Sequence, residues 1–336
     1  MEKKREVSAV IAVYNDERYL GACIECILAQ TFTNFELIII DDGSDDATPS
    51  VIDAYARRDP RIKTLRNAAN MGISYSRNRG TECAQGRFLA VVDSDDEILP
   101  ERFEEQYSIL RDNPDLGGVG TSMSYIGIDG ETIDLREGEI EDQVTAQRLI
   151  ANPMALIHGT LMMRRECLVG AGGYRSQFVR AIDYDMLLRM TEKYRFAQIR
   201  KPLTKRRVSF TSGTIFARSI QIKYVEISRR LHDQRVKEGS DVLQRNDTDA
   251  FEALRKEVFG LQWKPKWMVL SANYLAWAHR MYHRGPLKYA RMLAARAVRS
   301  NPLNLIAWGC FLYLFLPDNA RKAVTRTRGM LSGSSS

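Results

Sequence analysis

Three carboxylates stand within four residues at Asp93-Ser94-Asp95-Asp96, directly after the uncharged apolar run 88–92. A buried strand cannot continue through such a cluster, so the run must end there. The acids then sit at the carboxyl end of a strand, where open α/β sheets bind ligands. Carboxylates this close repel one another unless a cation or ligand donors offset them. Cation or ligand binding is one reading; a solvated turn built from Asp and Ser is the other. The arrangement occurs twice more. Run 7–13 ends in Tyr14-Asn15-Asp16-Glu17, and run 35–40 ends in Asp41-Asp42-Gly43-Ser44-Asp45-Asp46. Asp42 is placed to accept from a base N–H or from ribose hydroxyls. Hard oxygens, few in number and open to phosphate, suit Mg²⁺ or Mn²⁺ shared with a diphosphate.

Periodicity supplies the elements that position these acids. Runs 7–13, 35–40, 62–65 and 88–92 are short and apolar, as buried parallel strands are. Between them, Leu20, Cys23, Ile24 and Ile27, then Val51, Ile52 and Tyr55, recur at helical spacing, and a third helix spans 73–84. Strands alternating with helices predict a doubly wound, mainly parallel sheet with helices on both faces. Right-handed crossovers put all the strand ends, and so all three acid clusters, along one crevice. Beyond it, Pro100 starts a helix, 117–128 reads as a strand, and Asp129-Gly130 is a hairpin turn. A strand at 161–163, a glycine-rich loop at 170–174, a helix over 185–194 and short strands at 196–199 and 208–210 follow. From about residue 214 the pattern is helical, and only 332–336 reads as a disordered tail. The expected organisation is a catalytic domain over 1–212, a helical basic region over 213–331, and that tail.

Several classes of function are excluded. No GxxxxGK[ST] loop is present, and no GxGxxG follows the first strand. No apolar run reaches the ~18 residues of a membrane span. Five cysteines form no disulfide framework, and Cys23-x-x-Cys26 lies on a helix's apolar stripe, so it reads as core. The N-terminus shows no signal-peptide pattern, which predicts a cytoplasmic protein. Net charge is +7 but unevenly distributed. Residues 1–200 hold 24 Lys+Arg and 33 Asp+Glu, and residues 201–336 hold 25 and 9, giving −9 and +16. The basic part predicts an anionic partner. With no nucleic-acid reader motif in the chain, the basic part reads either as a helical bundle packed on the catalytic domain with a solvated basic face or as a contact with an anionic membrane surface from the inner, cytoplasmic side. Lys288, Arg291, Arg296 and Arg299 on one side of a helix, followed by the apolar stretch 303–316, carry the second reading.

Taken together, residues 7–15, Gln30-Thr31-Phe32, residues 35–46, Asn70-Met71-Gly72 with Arg77-Asn78-Arg79-Gly80, and Asp93-Ser94-Asp95-Asp96 resemble the successive signatures of glycosyltransferase family 2, with its Rossmann-like GT-A fold. Gly172-Gly173-Tyr174 and residues 181–189 are similar to that family's GGY and (E)DxDLxxR region. The resemblance implies roles. Ala12, Tyr14, Asn15 and Glu17 would line the nucleotide pocket, and Asp42 would hold the base. Asn70, Gly72 and Arg77 would face the base and phosphates. Asp93, with Ser94, would meet the ribose or sugar, Asp95 would bind the metal, and Asp183 would be the catalytic base. Arg207 would reach the diphosphate. His158, Tyr174 and Arg180 are acceptor-side candidates, with His158 equally readable as a core histidine. Three positions depart from the pattern: Ala12 replaces a common Pro, Ile182 replaces the Glu before the base, and Arg207-Val208-Ser209 lacks the His of Arg-x-His.

The resemblance implies an inverting, metal-dependent transfer of sugar from a UDP- or dTDP-linked donor to a glycan acceptor. With the basic region at a membrane, that acceptor is a lipid-linked glycan of surface-polysaccharide assembly. The alternative is a non-catalytic glycan- or carrier-binding scaffold that kept the fold.

Overall fold

The computed structural model describes residues 5–133, 144–208, 213–260, 266–317 and 321. They begin with β1 (Val7–Val13), α1 (Leu20–Leu28), β2 (Phe35–Asp41), α2 (Thr48–Arg58), β3 (Ile62–Arg66), α3 (Ile73–Cys83) and β4 (Phe88–Val91). These four strands pair in parallel in the order β3-β2-β1-β4. Val13 lies opposite Asp41, and Asp41 opposite Arg66, so the strand ends are level. The crevice expected from the crossovers is therefore formed.

Strand alternation divides the core between two faces. Val7, Ala9, Ile11, Leu37 and Ile39 pack with α1 and α2 on one. Val10, Ile38 and Ile40 face the other. There α3 comes so close that a Cβ on Gly80 would meet Ile40 and Val10 at 2.7 Å.

Next come β5 (Glu97–Ile98), α4 (Arg102–Asp112), β6 (Leu116–Ile126), β7 (Thr132–Ile133), α5 (Ala146–Ala151), β8 (Met162–Arg164), α6 (Arg165–Gly170), α7 (Ile182–Thr191) and β9 (Arg195–Arg207). They extend the sheet as β4-β8-β6-β9-β5, making it mixed, with β8 and β5 antiparallel to their neighbours. Three expectations change here. The strand expected at 196–199 is longer, β9 running from 195 to 207 alongside β6; of the strand expected at 208–210, Val208 lies beyond β9 and 209–210 fall outside the described residues. Its uneven polarity reflects register irregularities near Thr121 and Met123 of the partner strand, which disturb simple alternation. The helix expected from 185 starts at Ile182 and ends at Thr191. The helix expected from Pro100 starts at Arg102.

The remaining helices are α8 (Gly213–Glu238), α9 (Thr248–Gly260), α10 (Lys266–Arg284), α11 (Leu287–Ser300) and α12 (Leu305–Phe315). The chain forms two compact units. One contains the sheet and also residues 220–260, although the sequence placed these with the helical region. Tyr224, Ile227, Leu231 and Phe251 join its core beside Phe178 and Met186. The other is built mainly from 261–336, whose described helices are α10 to α12. The expected tail at 332–336 and the boundary at 212 lie outside the described residues. Among the described residues, no helix is long and apolar enough to cross a membrane.

Candidate active site

The loop after β1 is fastened to the loop after β2. The Asn15 N–H donates to Ser44 Oγ at 3.0 Å and its side-chain amide to Asp45 at 2.6 Å. Glu17 accepts from the Ala47 N–H at 2.6 Å. Asn15 and Glu17 therefore brace the rim of the crevice, while Ala12 is the last residue but one of β1 and Tyr14 is exposed beyond its end. Asp42 is buried and accepts from Asn67 at 2.6 Å and from the Met71 and Gly72 N–H groups at 2.9 Å each. It thus anchors the 67–72 loop, in which Asn70 accepts from the Gly72 N–H. Gly43 permits this approach, since a Cβ there would meet the Ala69 carbonyl carbon at 2.5 Å.

The deepest part of the crevice is a pocket of about 70 Å³ lined by Arg77, Asp93, Asp96, His158, Asp183 and Arg206, among others. That volume is well below what a small-molecule ligand occupies, so the rest of any donor site is the open crevice. A larger concavity, about 440 Å³, lies at the amino ends of the strands near Arg5, Gly86 and Arg165. It contains no acid cluster and no candidate base, so size does not locate this site.

Arg77, on α3, donates to Asp93 Oδ1 at 2.8 Å. Burial alone would raise the Asp93 carboxyl; Arg77, with Arg206, outweighs it and holds the group below the usual carboxylate range. The neighbouring acids go the other way. Burial, then Asp93 and Asp16, push Asp95 up to about 6. Burial, then Asp95 and Asp93, push Asp96 well up, even though it accepts the Arg207 N–H at 3.0 Å. Asp16 is raised by burial against a hydrogen bond from Ser94. The Asp95 carboxylate receives no hydrogen bond from another described residue.

A hard cation fits this donor set, because it would offset the like-charge crowding that raises Asp95. Among the described residues no three His, Cys, Asp or Glu side chains are grouped to hold a metal by themselves. A cation here would complete its shell with diphosphate oxygens and water, as Mg²⁺ commonly does.

Asp183 lies in the first turn of α7 and reaches the same pocket, with Oδ1 accepting the Tyr184 N–H at 2.9 Å. The residue before the helix, Ala181, takes a left-handed backbone at φ 52°. Such strain in a residue with a Cβ is concentrated at functional sites. Ile182, standing where the resemblance expects Glu, is buried. His158 Nε2 meets the Tyr174 hydroxyl at 2.8 Å, and both side chains are buried. Burial, reinforced by Arg77, depresses His158 to about 3, so its ring is neutral at ordinary pH. Tyr174 forms the floor under Arg77, whose guanidinium lies 5.7 Å from the ring centre. Arg180 is exposed on the loop before α7, where it donates to its neighbour's Val179 carbonyl.

Arg207 is engaged elsewhere. Its guanidinium donates to the carbonyls of Asp95 and Gly127 and to Glu97 at 2.9 Å, and it packs on the Tyr19 ring. It pins the acid loop from behind. Arg206, the alternate residue on β9, faces the pocket, and its guanidinium makes no hydrogen bond with a described residue. The adjacency of two arginines was visible in the sequence, but not which one pointed inward. Two more contributors had no sequence signal. Gly159 lets the backbone approach, since a Cβ there would come within 2.8 Å of Asp93 Oδ2. Arg102 is fully buried beneath the acids, donates to the Val91 carbonyl at 2.9 Å and is lowered to about 10 by burial. The Cys23 thiol donates to the Asp93 carbonyl, as part of the core its helical stripe predicted.

The fold and this crevice belong to the GT-A class of α/β enzymes. S. aureus TarS 1–349, solved with UDP-GlcNAc, superposes with a TM-score of 0.56 over 96% of this chain and 92% of that one, at 15% identity. The mannosyltransferase PcManGT from Pyrobaculum calidifontis, solved with GDP-Man and Mn²⁺, gives 0.51 over 93% and 85%, at 16% identity. Likeness at such identity speaks to fold. Sequence goes further: residues 8–169 match Glycosyl transferase family 2. EpsE of Bacillus subtilis is 34% identical over 196 residues, 57% of this chain and 69% of EpsE. EpsH of the same organism is 43% identical over 110 residues, 33% of this chain, and the match spans only 32% of EpsH's length. The chain belongs to glycosyltransferase family 2.

Proposed function

We propose that this protein is an inverting, metal-dependent glycosyltransferase that moves a sugar from a nucleoside-diphosphate donor to a glycan acceptor. One observation carries the reading: Asp93, Asp183 and Arg206, spread over more than a hundred residues of sequence, line one pocket. Single displacement at an anomeric carbon needs a general base for the acceptor hydroxyl and stabilisation of a diphosphate leaving group. Asp183 is placed for the first task. The Tyr184 N–H orients one of its oxygens, and the other is available to take the proton as the acceptor oxygen attacks. As the anomeric C–O bond breaks, negative charge builds on the diphosphate. Arg206 has a guanidinium without a protein hydrogen-bond partner among the described residues and takes the role the sequence gave to Arg207. Arg77 holds Asp93 against the sugar or ribose. Asp95 would ligate Mn²⁺ or Mg²⁺, which when bound supplies charge neutralisation of the diphosphate.

TarS with UDP-GlcNAc favours a UDP-type donor, dTDP being its near equivalent, and PcManGT with Mn²⁺ supports a divalent ion. We assign the acceptor to lipid-linked glycans of surface-polysaccharide assembly. The basic charge of the C-terminal unit, which suits an anionic inner membrane face, supports that assignment. A thermal-shift screen of nucleotide sugars with Mn²⁺ or Mg²⁺ tests the proposal, because a ligand of the native state raises Tm. A metal-dependent rise with one UDP or dTDP sugar is expected. No rise with any nucleoside diphosphate would favour a scaffold instead.

A further inference from the structure

Within the C-terminal unit, α12 is apolar all round, yet only one side of it is covered. Ala307 and Leu314 are buried. Leu305, Trp308, Leu312 and Phe315 recur at three and four residues and form one outward row. Leu305 is 82% exposed, Leu312 60% and Phe315 52%, with Ile306 beside them at 73%. Scattered apolar residues on a surface are ordinary, but a contiguous row marks an interaction face.

The charge of this part of the sequence selects the partner. Residues 261–336 hold twelve Lys+Arg and a single acid, Asp318. A second copy would bring two surfaces of the same sign together, whereas an anionic surface would be attracted. Arg291 donates to the Leu314 carbonyl at 2.9 Å, and its guanidinium lies 5.3 Å from the Phe315 ring centre. Trp308 donates its indole N–H to the Pro302 carbonyl, so its polar atom is satisfied while its rings stay on the apolar row. The helix itself carries no charge; the cation beside it is Arg291 of α11, and a Trp with a neighbouring long cation at the edge of a Leu-rich row suits a membrane interface. With 11 residues, α12 is roughly 16 Å long at 1.5 Å per residue, too short to cross a bilayer core.

We infer that α12 docks this protein on an anionic phospholipid bilayer. The row Leu305, Trp308, Leu312 and Phe315 enters the acyl boundary, and the unit's cations meet the headgroups. This deepens the reading that the C-terminal unit meets a membrane and is independent of the donor chemistry.

The test is co-sedimentation of the full chain with vesicles of phosphatidylglycerol and phosphatidylcholine, against phosphatidylcholine alone. Binding to the anionic vesicles is expected, falling with salt. A Leu305→Gln/Leu312→Gln variant should bind roughly tenfold more weakly or not at all. Its nucleotide-dependent thermal shift should match wild type, which separates a docking defect from a folding or donor-site defect. On the unaltered protein, vesicles should shift tryptophan emission to shorter wavelength, and the Trp308→Phe variant should lose that shift. The inference is overturned if the wild-type chain stays in the supernatant, or if the leucine variant sediments equally well. A concentration-dependent dimer that the leucine variant abolishes would also overturn it, by giving the face to a second copy.

Discussion

Two charged regions of the sheet-containing unit behave oppositely. Behind α7, Arg175 pairs with Asp185 at 3.3 Å and with Asp241 at 2.8 Å. Arg189 pairs with Asp185 at 2.8 Å, and Arg235 with Asp241 and with Glu192 at 2.7 Å. Three arginines alternate with three carboxylates. Burial would raise Asp241, but Arg175 and Arg235 bring it below its ordinary range. At the ends of β1 and β4, the carboxylates face one another instead, and Asp95 and Asp96 are pushed up. Charge compensated inside the protein marks structure; charge left uncompensated marks where a ligand belongs. The lattice still serves the pocket. Arg189 also donates to the Gly173 carbonyl at 2.7 Å, so the lattice fixes both the loop before Tyr174 and the helix that presents Asp183. All six of its residues lie beyond the stretch that matches the family, residues 8–169.

The sharpest separation of the two regions is at Asp183. Asp183→Asn should lower kcat by roughly 10²- to 10⁴-fold while leaving donor affinity and Tm unchanged. Turnover that survives would remove Asp183 as the base. Asp241→Asn should do the reverse. It leaves two buried arginines short of a partner and should cost about 3–5 kcal/mol in urea unfolding. A cost near zero would mean that the lattice is not a structural clamp.

Between these extremes, Arg206→Ala should reduce kcat roughly 10- to 100-fold with little change in stability, as for loss of one preorganised cation. Arg207→Ala should instead lower Tm, since three hydrogen bonds behind the acid loop are lost. Equal effects of the two variants would erase the distinction between them.

His158 gives a pH test. Its native ring is held near 3, below an unfolded value of about 6.5. The unfolded chain therefore takes the proton first. This contribution to stability is complete above pH 6.5 and is lost progressively as pH falls toward 3. At pH 5 the loss is on the order of 2 kcal/mol. Denaturant midpoints of wild type and His158→Gln, compared at pH 7 and pH 5, should converge as the pH falls. The smallest effect is expected at Asp95. Removing one of the crowded charges in Asp95→Asn should raise Tm by a degree or so, roughly 0.5 kcal/mol, while abolishing the metal-dependent nucleotide shift. A drop in Tm would place Asp95 with the compensated charges.

The sequence by itself determined the alternating strands and helices and the acid clusters at the strand ends. Those are local facts: periods of two and 3.6, and polarity that cannot continue along a buried strand. It also determined the family, through motifs whose order survives any rearrangement of loops. Tertiary structure decided what depends on long-range register. A one-residue slip along a strand exchanges its faces, so only the pairing of β9 with β6, irregularities included, could choose Arg206 over Arg207. Only packing could place Arg102 under Asp96, set Gly159 against Asp93, and bring residues 220–260 into the unit that carries the site. Each is a contact between distant segments, and such contacts leave no periodic trace in either segment alone.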